Sequence, residues 1–166
     1  MRKPSEYGIE VTKSIVTQLV QNDYTIVSGM VRGIDEIAHQ ECINKNGHTI
    51  AVLGCGIEKC YSLKYQQLYE EIKKNHLLIS ECPYLTEPKQ QMFPFRNRII
   101  AGLSKSILVT ETNEKGGTMD TVRYALEQGK EVFAIPSRVF DNIGCNVLIQ
   151  HGANLVLNIY DIIEKE

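Results

Sequence analysis

The sequence predicts an α/β fold, and three observations carry that prediction. Short, continuously apolar runs recur along the chain, as expected of strands buried on both faces. Segments of helical periodicity separate them, and this alternation closes most readily through parallel crossovers. Glycine, serine or proline ends nearly every apolar run, at Ser28-Gly29, Gly54-Cys55-Gly56 and Pro136. The expectation is therefore an extended Rossmann-like, mostly parallel sheet with helices on both faces. Ligands in such sheets bind outside the carboxyl ends of the strands.

In order, residues 5–21 read as a helix, with Ser5 as its cap and Val11, Ile15 and Leu19 at helical spacing. Residues 24–27 are a short strand, and 34–46 a second helix stopped by Gly47. Residues 49–53 form a buried strand, 65–75 a helix and 77–80 a strand. Three prolines punctuate a loop from 81 to 94. A helix over 95–104, a strand over 106–110 and a helix over 119–128 closed by Gly129 follow. Residues 131–135 are a strand ended by Pro136. Short helices at 146–150 and 160–164 flank a last strand near Leu155.

At 166 residues, with 43% hydrophobic and 23% charged residues, the chain has the composition of one ordinary folded domain spanning 1–166. No apolar run approaches the roughly 18 residues of a membrane span. The start, Met-Arg-Lys-Pro-Ser-Glu, lacks the apolar core of a signal peptide, which points to a cytoplasmic protein. The five cysteines form no C-x-x-C pair and read as buried thiols, not as a disulfide frame or zinc site. No cofactor or metal is expected. A P-loop is absent, and Lys59 stands where a dinucleotide motif beginning at Gly54 needs its last glycine. The chain opens on a helix where this architecture opens on a strand, so an N-terminal piece is expected to be missing.

The residues that carry chemistry gather around 91–103. Between Pro88 and Thr110 lie Lys89, Arg96, Arg98 and Lys105, with no Asp or Glu, in a chain of formal net charge -2. Phe93 and Phe95 accompany the arginines, and aromatic faces with guanidinium groups suit bases and phosphates. For the two phenylalanines themselves, core packing is the favoured reading. Ser28-Gly29 followed by Arg32-Gly33 joins a strand to a helix, where a tight glycine turn and a helix N-terminus suit an anion. Gly116-Gly117-Thr118 is a second such turn, with Thr118 also a natural N-cap. His39 lies one helical turn after Asp35, and a surface or capping pair explains both.

These residues resemble the DNA-processing DprA (Smf) family. The resemblance rests on SGMVRGIDEIAH from residue 28, IAVLGCG from 50, FPFRNRIIAGLS from 93, EQGKEVFAIP from 127 and GCNVLIQHGA from 144. It implies a Rossmann-like domain that binds single-stranded DNA, acts as a homodimer and brings the recombinase RecA onto DNA in natural transformation and recombination, without a catalytic step. By position it implies DNA contacts at Arg32, Arg96, Asn97 and Arg98, with backbone at Gly29, Gly33 and Gly117. Lys64 is the matching choice for a pocket lysine, and Ser28, Gly116 and Thr118 complete the expected site. The chain departs from the family at Gly116-Gly117-Thr118, which replaces Ser-Gly-Ser, and at Pro136-Ser137, which lacks the family glycine. The strand preceding Arg2 is also expected to be absent. An alternative is a LOG-like nucleoside-monophosphate phosphoribohydrolase or a nucleotide-sensing module of the same fold. Against the enzyme, Arg123 stands where the catalytic glutamate is required to stabilise a cationic transition state.

Overall fold

The structure is a computed structural model that describes residues 1–59 and 65–165. Its elements, in order, are α1 (Glu6–Gln21), β1 (Ile26–Gly29), α2 (Ile34–Asn44), β2 (Thr49–Leu53), α3 (Gln66–Asn75), β3 (Leu77–Ser80) and α4 (Met92–Leu103). They continue with β4 (Ile107–Val109), α5 (Thr118–Glu127), β5 (Val132–Ala134), α6 (Gly144–Gln150), β6 (Asn154–Leu155) and α7 (Tyr160–Ile163). The strands form two three-stranded sheets, β1-β2-β3 and β4-β5-β6, and all four pairings are parallel. The α/β fold with parallel strands and covering helices is thus as the sequence predicts. The division into two sheets was not anticipated.

Burial explains the strand sequences. Ala51, Val52 and Leu53 of β2 are at most 4% exposed, as are Val132, Phe133 and Ala134 of β5. A strand covered on both faces has no polar side to show, hence no alternation. On one side of the first sheet, α3 contributes Leu68, Tyr69 and Ile72 to a core with Ala51, Leu53 and Leu78. In the second sheet, Ile107, Val109, Val132 and Ala134 pack with Ala101 of α4, Val122 and Ala125 of α5 and Cys145 of α6. Helix α1 joins the two: Ile15 and Leu19 pack with Phe133, Ile135 and Val156, and Tyr24 and Ile26 lie against the same cluster.

The boundaries differ from the sequence expectation where backbone closure decides them. Strand β1 starts at Ile26, not at residue 24, because Asp23 adopts φ 62° and the Tyr24 N–H still donates to Leu19 O at 3.0 Å. Those two residues finish the helix and do not begin the strand. Helix α2 stops at Asn44 because Asn46 turns to φ 59° and the Gly47 N–H returns to Cys42 O at 2.8 Å. Helix α4 begins at Met92, three residues before its expected start. Pro94 is tolerated inside it because first-turn residues need no N–H donor. Ser5 caps α1 as expected, its hydroxyl accepting from Gly8 N at 3.0 Å. Thr118 does not cap α5: Gly117 holds that position, and Thr118 is the first helical residue.

Among the described residues, no helix is long and apolar enough to cross a membrane. Cys42 and Cys145 are free thiols and buried, Cys55 is buried, and Cys82 is free and half-buried. Cys60 lies outside the described residues, as does Lys64.

Candidate nucleic-acid interface

The N-terminal half of α4 ties the strand ends together. The Arg96 guanidinium donates to Val52 O in β2 and, through Nε, to Asn97 Oδ1 at 3.2 Å. It lies on the backbone at the end of β1: a Cβ added to Gly29 would sit 2.3 Å from Arg96 Nη2. The sequence therefore needs glycine at 29 to admit the arginine. The Arg98 guanidinium pairs with Glu81, immediately after β3, and lies 5.2 Å from the centroid of Phe95. The Asn97 amide donates to Gly117 O at 3.1 Å, joining α4 to the turn that opens α5. One helical turn thus reaches β1, β2, the end of β3 and α5.

The two arginines occupy opposite environments. Arg96 is only 5% exposed, whereas the Arg98 side chain is 37% exposed. Beneath Arg96 lies Asp35 of α2, whose carboxylate accepts from the Ser28 hydroxyl and the Gly29 N–H. Burial pushes the Asp35 carboxyl above its ordinary value, against the opposing pull of Arg96. Burial likewise lowers Arg96, against the pull of Asp35. Desolvation outweighs mutual attraction on both partners, as is usual for a buried pair. His39, one turn further along α2, is fully buried, with Nδ1 2.6 Å from Thr49 Oγ1. Burial, then the charge of Arg96 and then His76, push it down to about 3. His39 is therefore not half of a surface or capping pair; it is a core residue packed beside β2.

The phenylalanines separate in the same way. Phe93 is 8% exposed and packs on Gly54, while Phe95 is 60% exposed. The sequence favoured the core for both; the fold bears that out for Phe93 and corrects it for Phe95, which points to solvent. Glu81 and Asp35 were not legible as neighbours of the arginines. The stretch without acids in sequence meets two carboxylates in space, each delivered by a strand-end segment.

The glycine turns are partly committed to the fold. Gly33 has φ 101°, which favours glycine, and its N–H faces Glu36 Oε2 at 3.4 Å. The next N–H, of Ile34, donates to Met1 O at 3.0 Å. Arg32 beside them is exposed. At the other turn the Gly116 N–H donates to Asn113 O at 3.1 Å, and Gly117 is exposed. The Gly56 N–H is occupied by Thr86 O at 2.8 Å, so the turn after β2 is closed by the chain itself. Arg123, where the enzymatic alternative needs a carboxylate, lies on the α5 surface and pairs with Glu127 at 2.9 Å.

The structure therefore brings Ser28, Gly29, Arg96, Asn97 and Gly117 into one connected group, with Arg98 on its outer side through Glu81. Gly116 and Thr118 adjoin it through Gly117. Arg32 and Gly33 lie on the connection from β1 to α2. A family model described as DNA recombination-mediator protein A matches residues 1–166. The chain belongs to that family.

Relatives agree with that placement. Protein Smf of Synechocystis sp. is 43% identical over 159 residues, covering 95% of this chain and 40% of its own length. The X-ray structure of DNA processing protein A from Streptococcus pneumoniae superposes with a TM-score of 0.95 at 37% identity, covering 99% of this chain and 59% of that one. DNA processing protein A from Helicobacter pylori, whose structure is described as showing a unique single-stranded DNA binding mode, gives a TM-score of 0.90 at 30% identity. That match covers 99% of this chain and 76% of the other. The chain spans about half the length of the curated relatives it matches.

Proposed function

We propose that this chain binds single-stranded DNA across its strand-end face and acts as a DNA-processing, recombination-mediating protein in natural transformation. The observation that carries the reading is the exposed Phe95–Arg98 pair on a turn anchored by buried Arg96. It offers an aromatic face and a guanidinium side by side, the combination that holds unstacked bases and their phosphates. Arg32, Asn97 and Arg98 face the strand together with the exposed Gly117 turn, while Ser28, Gly29, Gly33, Gly116 and Thr118 shape the turns that hold them. Arg96 provides positive charge from the floor, and Lys64 supplies a further cation. The single-stranded DNA binding mode described for the Helicobacter pylori relative supports the same choice of ligand.

The family description as a recombination mediator supports delivery of the recombinase RecA to the bound strand. The exposure of Leu155 and Leu157, at 44% and 75%, supports self-association through the C-terminal apolar stretch 149–157.

Glu81 holds Arg98 in the absence of a strand, so phosphate must compete with it. Fluorescence anisotropy with labelled oligo(dT) tests this in both directions. Arg98→Ala is expected to weaken binding about five-fold, roughly 1 kcal/mol. Glu81→Gln is expected to tighten it by a similar factor, because it frees the guanidinium. Unchanged affinity in both variants would remove Arg98 from the site.

A further inference from the structure

The connection between β5 and α6 carries a turn whose chemistry the fold does not use. The Asp141 N–H donates to Arg138 O at 3.1 Å, so Val139 and Phe140 form the tip of a β-turn. Turn tips ordinarily take Gly, Asn, Asp or Ser. Here the two tip residues are apolar, and they are 74% and 99% exposed. Neither contributes to any of the hydrophobic clusters.

The stem of this turn is firmly held. Ser137 N donates to Asn146 Oδ1 and Asn146 Nδ2 donates to Ser137 O, both at 2.9 Å, while the Ser137 hydroxyl donates to Asn142 O at 2.9 Å. Asn142 Nδ2 then donates to Glu111 Oε1 at 2.8 Å, and the Gly144 N–H to Thr112 O at 3.1 Å. Glu111 and Thr112 follow β4 and lead directly into the Gly116-Gly117 turn. The apolar tip is therefore fixed at the same strand-end rim as α4 and α5.

Charge indicates the occupant. Arg138, at the first position of the turn, is exposed. The segment Arg2-Lys3 is exposed as well, and it precedes Ser5, whose N–H donates to the same Glu111 carboxylate at 3.0 Å. Asp141 is the one exposed acid of the turn. An aromatic ring at a strand-end rim whose exposed side chains include Arg2, Lys3 and Arg138 suits a nucleobase with its phosphates better than an apolar protein surface.

We propose that the 138–141 turn presents Phe140 as a stacking platform for an unpaired nucleobase, a second contact on a strand that also lies on Phe95 and Arg98. The inference rests on the reading of this face as a single-stranded DNA site. The chain contains no tryptophan, so Phe140→Trp installs a lone fluorescent reporter in the turn. Oligo(dT) is expected to quench it at saturation, whereas an abasic strand of equal length, bound through its phosphates, leaves the emission unchanged. Phe140→Ala is expected to weaken oligo(dT) binding about five-fold or more, the usual cost of losing one base–aromatic stack. Anisotropy showing oligo(dT) bound to the Trp variant without quenching would overturn the stacking role and leave the DNA reading intact. Absence of any binding by the wild-type chain would overturn both. A Trp signal that changes with protein concentration alone would assign the tip to contact with a second copy and overturn the proposal.

Discussion

Replacing Arg96 by methionine is expected to lower the unfolding free energy by about 3 kcal/mol, because buried Val52 O loses its guanidinium donor and the neighbouring Asp35 carboxyl loses a compensating charge. For a domain of this size that is a fall in Tm of roughly 10 °C. The substitution keeps most of the side-chain bulk but leaves the Asp35 carboxyl with the amino-terminal charge, the Ser28 hydroxyl and the Gly29 N–H in place of the guanidinium. Because Asp35 is already pushed toward its protonated form, proton uptake limits the loss at acidic pH. The double variant Arg96→Met/Asp35→Asn is expected to recover a good part of the deficit, since the uncompensated charge is gone. Thermal unfolding of the four proteins in the cycle measures this coupling. Strictly additive effects would show that the two side chains do not act as a pair. Oligonucleotide affinity should fall in Arg96→Met along with stability, because the first turn of α4 loses its anchor.

A second large effect concerns acid. His39 takes a proton near its ordinary 6.5 in the unfolded chain, but only at about 3 in the folded protein. Between those values the unfolded chain binds more protons, so this residue's contribution to stability is present above pH 6.5 and lost as pH falls toward 3. The loss approaches ~1.4 kcal/mol per pH unit for one full proton, or about 3 kcal/mol between pH 6 and 4. Asp35 acts in the opposite sense. Its raised pKa favours the fold below its ordinary 3.8 and costs stability as pH rises above it. The His39 contribution is therefore read as a difference, by urea unfolding of wild type and His39→Gln at several pH values. Wild type is expected to lose its advantage over the variant steadily as pH falls. A difference independent of pH would mean that His39 is not buried in its neutral form.

The fold was legible because burial on both faces leaves a simple pattern, and 49–53 and 77–80 were placed to the residue. Misplaced boundaries arose where the backbone folds back on itself, as at Tyr24 and Asn46, for hydrogen-bond closure is not encoded in apolar spacing. In the candidate site, the sequence marked 91–103 as a cationic stretch but could not show its partners. Asp35 and Glu81 reach the arginines only through the parallel crossovers, from 61 and 17 positions away. Nor were Phe93 and Phe95 separated, because the helix was expected only from 95; both lie in its first turn, on opposite faces, which puts one ring under Gly54 and the other in solvent. The 138–141 turn went unnoticed because its signal is an apolar pair at a turn tip, which reads as core until exposure is known. Together these features convert a stretch of positive charge into a turn with a buried anchor, an outward guanidinium and an outward ring.

The central claim, a strand-end face that binds single-stranded DNA, is tested most directly by the salt dependence of wild-type binding. Anisotropy titrations with labelled oligo(dT) and with duplex of the same length, from 50 to 200 mM salt, are sufficient. Three phosphate contacts on a single strand give a slope of about −2 in log K against log salt. Affinity for the strand should then fall about 20-fold over that range and exceed affinity for duplex at each concentration. No binding at low salt, or equal binding of strand and duplex, would contradict the account.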